Sequence, residues 1–120
     1  MLGNLFKRDK SVELIFNTDE INCITLILCD EIDRLMPIQH LSKKDTKDYV
    51  LAKRYRNLLD GKKVVILPFT SKNREDLLWL IVLLMREADK VKDHSEKEYL
   101  NFIAARIQWV HRQLGVNDGN

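Results

Sequence analysis

Apolar positions recur at helical spacing in four stretches of this chain. In the first, Ile21, Ile24, Leu28, Ile32 and Leu35 fall on one face, Thr18 precedes an acidic first turn, and Pro37 stops the helix. In the second, Ser42 with Asp45 opens a helix that runs through Tyr49, Ala52, Tyr55 and Leu59 and closes at Gly61 in the C′ position. The third begins near Ser71 or Asn73, carries Glu75 and Asp76 where they complement the macrodipole, and extends to about Lys92. The fourth follows the capping-box pattern Ser95 to Glu98, places Ile103, Ile107, Val110 and Leu114 on one side, and ends at Gly115. Short connections make the first pair and the last pair antiparallel hairpins, joined by the longer segment 61–71.

Two stretches have a different period. In 10–16, Val12, Leu14 and Phe16 alternate with other residues, and 62–69 is a β-branched run bounded by Gly61 and Pro68. Neither makes a strand alone, but together they make a two-stranded ribbon over one end of a helical bundle. The expected fold is therefore mainly α: a compact four-helix domain with a small β ribbon, formed by the 120 residues as one unit.

The third helix carries more apolar surface than one core face requires, with nine consecutive apolar residues from Leu77 to Met85. Continued along the helix, the run selects Leu77, Ile81, Leu84, Ala88 and Val91 as the core stripe. Trp79, Val82 and Leu83 then lie about 140° to 240° around from Leu77, with Arg86 at about 180°. Either the helix is central and covered on all sides, or another chain covers this second face. Four helices of this length do not readily enclose one of their own number, so Trp79, Val82, Leu83 and Arg86 are expected to form a partner interface.

Composition narrows the alternatives. An apolar fraction of 45% and a charged fraction of 32% fit a folded globular chain. The apolar run spans about 14 Å as a helix, roughly half the hydrocarbon thickness of a bilayer, so no membrane crossing is expected. The N-terminal stretch lacks the basic-then-apolar order of a signal peptide. Cys23 and Cys29, about 240° apart on one helix, are expected to be buried and reduced, as in a cytoplasmic protein.

Net charge is only +2, but it is unevenly distributed. Residues 18–41 set five carboxylates against Arg34, a net −4, whereas 42–63 set eight basic groups against three aspartates, a net +5. Within the basic segment, Lys53, Arg54 and Arg56 surround Tyr55 and Tyr49, and with Lys43, Lys44 and Lys47 they and Tyr55 form the candidate site for an anionic ligand, nucleic acid included. The preferred reading is that this basic helix packs beside the acidic first helix, giving charge complementarity within the bundle or between subunits, and an acidic protein partner is a third reading.

Catalytic constellations are sparse. His40, His94 and His111 lie on separate elements without a second ligand nearby, so neither a metal nor another cofactor is expected. The cluster 29–34 with Glu87 and Asp89 is short of the carboxylates a helical Mg²⁺ site needs and reads as a solvated acidic face. Arg106 and His111 have the R-x4-H spacing used by helical nucleases, which leaves a nuclease-like enzyme as one alternative function and a nucleic-acid-binding module as another. The leading expectation is a small non-enzymatic interaction or accessory protein that acts through an apolar helix face, either as a homo-oligomer or on a larger protein.

Overall fold

The computed structural model describes residues 11–118, and side chains up to residue 115. The N-terminal ten residues, with Lys10 of the expected first strand, lie outside the described part. The element order is β1 (Val12–Phe16), α1 (Thr18–Leu35), α2 (Lys43–Leu59), β2 (Val65–Phe69), a single 3-10 turn (Ser71–Asn73), α3 (Arg74–Lys90) and α4 (His94–Asp118). Four helices and a two-stranded antiparallel ribbon are thus observed, as the periodicities predict. The chain divides into two compact units, one comprising Ile15–Val65 and the other the remainder. Each contains one of the expected helical hairpins.

The ribbon has two distinct faces. Leu14, Phe16, Val65, Leu67 and Phe69 are buried, while Ile15 and Ile66 alternate with them and are exposed. This period of two is what a pleated strand imposes on its side chains. Pro68, which has no N–H to donate, is tolerated because a two-stranded ribbon leaves β2 one edge outside the ladder. The strand starts at Val65 and not at Lys62, because Gly61 (φ 76°) turns the chain and the Lys63 carbonyl accepts from Thr18 Oγ at 2.6 Å.

In the first unit, α1 buries Ile21, Ile24, Leu28, Ile32 and Leu35, with Ile27 beside them, against Leu51, Ala52, Tyr55 and Leu59 of α2. The α1 cap is one residue earlier than Thr18. Asn17 Oδ1 accepts from the Glu20 N–H at 2.9 Å, and Glu20 Oε1 accepts from the Asn17 N–H at 2.9 Å. This reciprocal box satisfies two otherwise orphaned donors and explains why Glu20 is only 3% exposed. At α2 the cap is the expected one, Ser42 Oγ accepting from the Asp45 N–H at 3.0 Å.

In the second unit, Leu77, Leu80, Ile81, Leu84 and Ala88 of α3 pack against α4, which buries Leu100, Ile103, Ala104, Ile107, Val110 and Leu114. Two expectations for α4 are corrected. Its N-cap function is supplied by Asp93, whose Oδ1 accepts from the N–H groups of Ser95 at 2.8 Å and Glu96 at 3.2 Å, so Ser95 lies within the first turn. The helix also runs through Gly115 to Asp118. Gly115 is a site of close approach, where an added Cβ would collide with the Arg74 guanidinium. Arg74 Nε donates to the His111 carbonyl at 3.0 Å, which holds the guanidinium beside Gly115.

Candidate interaction surfaces

On α3 the buried arc is wider than the stripe read from the sequence. It includes Leu80 and Leu83 as well as Leu77, Ile81, Leu84 and Ala88, about 160° of the helix circumference. Leu83 is 4% exposed and belongs to the interior, which removes it from the expected interface patch. Val82 keeps its expected outward position at 56% exposure, and Trp79 and Arg86 are half-buried at the margin. The outward apolar row is Leu78, Val82 and Met85, spaced four and three residues apart, with Leu78 and Met85 each 50% exposed. The patch is therefore rotated by about 80° from the sequence reading. With nine apolar residues in a row, periodicity alone cannot tell which arc faces inward.

The seven residues of the candidate anionic-ligand site do not form one patch. Tyr55 is 3% exposed and packs in the hairpin core, so its ring is not available for base stacking. Lys44 Nζ pairs with the buried Asp48 carboxylate at 3.0 Å. Half-buried Arg56 donates to Asn57 Oδ1 at 3.2 Å. Lys53 Nζ lies 5.3 Å from the centroid of the Tyr49 ring, a cation–π distance. The exposed Lys43, Lys47 and Arg54 share one line along α2, and Val50 and Leu58, 47% and 44% exposed, fall in the same line. Residues 43, 47, 50, 54 and 58, spaced 4, 3, 4 and 4, make a mixed basic and aliphatic stripe along one flank of the buried arc formed by Asp48, Leu51, Ala52, Tyr55 and Leu59. The two aliphatic members are the detail that a count of charges overlooks.

The acidic segment also sorts by face. Glu31 is 4% exposed and bonded to Arg34 Nε at 2.6 Å, so it is a structural carboxylate and not part of a solvated face. Asp19, Asp30 and Asp33 are exposed, and Leu26, at 68%, is the most exposed large apolar side chain among the described residues. Cys23 and Cys29 are free thiols, half-buried on opposite flanks of the core arc and not fully enclosed.

No catalytic centre assembles from the remaining candidates. Arg106 and His111 are turned about 140° apart on a continuous helix. The Arg106 guanidinium lies 5.9 Å from the Phe102 ring centroid, whereas His111 is held beside Arg74. Partial burial, and then the Arg74 charge, hold the His111 pKa below its ordinary value. Among the described residues no group of three or more His, Cys, Asp or Glu side chains is placed to hold a metal ion. No helix among them is long and apolar enough to cross a membrane. Comparisons with protein-family models, with curated proteins and with solved structures give no significant match.

Proposed function

We propose that this is a small non-catalytic interaction protein that self-associates through the outward face of α3. The observation that carries the reading is the aligned row Leu78, Val82 and Met85, each at least half exposed, on a helix whose opposite side is already packed. An aliphatic row of this kind complements itself. Two copies related by a two-fold axis across the row interdigitate it and take it out of water, the half-buried Trp79 and Arg86 lying along one margin. Transfer from water favours that burial at about 25 cal/mol per Å² of apolar surface.

The decisive substitution is Val82→Lys, which places a charge at the centre of the row without touching the core. Light scattering at two protein concentrations is expected to show an assembled wild-type chain and a variant of lower mass, both melting cooperatively. An unchanged mass in the variant, or a wild-type chain that is monomeric throughout, overturns the reading.

A further inference from the structure

The hairpin of the first unit carries two outward stripes of opposite sign, one on each helix. On α1 the exposed residues Asp19, Asp30 and Asp33 surround exposed Leu26, on the side directly away from buried Ile24, Leu28 and Leu35. On α2, Lys43 and Lys47 precede Val50, and Lys53 and Arg54 follow it, along one flank of the buried arc. No carboxylate interrupts the α2 stripe, since Asp45 and Asp48 are on other faces of the helix. Each stripe thus has an aliphatic centre and charged ends.

We infer that this hairpin face binds the same face of a second copy of the chain, with the acidic stripe of each α1 lying on the basic stripe of the other α2. The geometry follows from symmetry. If a two-fold axis runs along the hairpin between its helices, rotation by 180° carries each α1 over the partner's α2. Because α1 and α2 are antiparallel, the apposed helices are antiparallel too, and a four-helix bundle results.

The register is set by the same operation. Helix midpoints meet, so Leu26 lies against Val50 of the partner subunit. Asp30 and Asp33 come opposite Lys47 and Lys43 of the partner subunit, and the symmetric set repeats these contacts. The aliphatic centre supplies burial, and the charges fix orientation, because a parallel or shifted arrangement brings like charges together. This inference is independent of the α3 proposal: it uses other residues, in the other unit, and predicts a different response to salt. Exposed ion pairs are screened over about 10 Å at 0.1 M salt, whereas aliphatic burial persists.

The test is a charge exchange in the full chain, read by sedimentation and light scattering across a salt series. Lys43→Glu with Lys47→Glu and Lys53→Glu makes both stripes acidic, and Asp30→Lys with Asp33→Lys makes both basic. Each variant alone is expected to dimerise through this face at least tenfold more weakly than wild type at low salt. An equimolar mixture of the two is expected to form a heterodimer, and one chain with all five changes is expected to recover homodimerisation. The substitutions are all at exposed positions, and recovery in the mixture separates a lost interface from a damaged fold. Failure of the mixture to associate overturns the inference. So does a salt-independent wild-type mass, or loss of labelled duplex DNA binding in the acidic variant with no change in mass. Val82→Lys leaves the salt-dependent step intact, so failure here and failure of the α3 reading are separately visible.

Discussion

Positions 82 and 83 are neighbours in sequence and opposites in environment, and this contrast tests the placement of α3 directly. Leu83→Ala deletes three carbon groups from a side chain that is 4% exposed. At about 0.8 kcal/mol for each buried carbon, the transfer term is about 2.4 kcal/mol. The cavity left behind brings the expected loss to about 3 to 4 kcal/mol, within the range of buried Leu→Ala changes. Val82→Ala deletes two carbons from a side chain that is 56% exposed, so less than half of a ~1.6 kcal/mol transfer term is lost. Alanine's helix preference over valine, about 0.5 kcal/mol, offsets most of that. The expected net change at 82 is under about 0.5 kcal/mol. Urea unfolding followed by circular dichroism measures both, at low protein concentration so that association adds little to the apparent stability. Equal losses at the two positions, or a loss at Leu83 below about 1 kcal/mol, refute the assigned orientation of α3.

The cap of α4 and the histidine beside Arg74 provide two further checks. Asp93→Ala removes the acceptor for two N–H groups and is expected to cost about 1 to 2 kcal/mol, whereas Ser95→Ala, inside the helix, is expected to change the urea midpoint little; the reverse ranking contradicts the observed cap. Because the His111 pKa is lowered in the folded chain, the unfolded chain takes up a proton first as pH falls through its ordinary value of 6.5. Stability is therefore expected to fall from about pH 6.5 downward until the folded-state pKa is passed, and His111→Gln is expected to flatten the slope; an unchanged pH profile in that variant removes His111 as its source.

Much of this architecture is local and so was legible in the residues themselves. The spacing of Ile21, Ile24, Leu28, Ile32 and Leu35 specifies one helical face whatever surrounds it, Ser42 caps the nearest unpaired N–H groups, and Gly61 adopts a positive φ that other residues resist. The alternation around Leu14 and Phe16 similarly marks a ribbon strand before its partner is known. Choices between near neighbours were decided elsewhere. Asn17 prevails over Thr18, and Asp93 over Ser95, because the better-placed oxygen takes the donors while chain direction decides which residue is just outside the helix.

The orientation of α3 is the clearest case of a tertiary decision. Nine consecutive apolar residues have no internal contrast, so Leu83 went inward and Leu78 and Met85 outward only once neighbouring elements competed for the helix surface. Tyr55 was drawn into the core by the same competition, which dissolved the aromatic part of the expected anionic site. At Gly115 a residue that ordinarily ends a helix instead lies within one, with the Arg74 guanidinium against it. Composition and period determine which elements form, because they act through contacts a few residues away. The side on which each element presents a given residue depends on contacts between residues distant in the chain, as with Arg74 and the His111 carbonyl, and those exist only after folding.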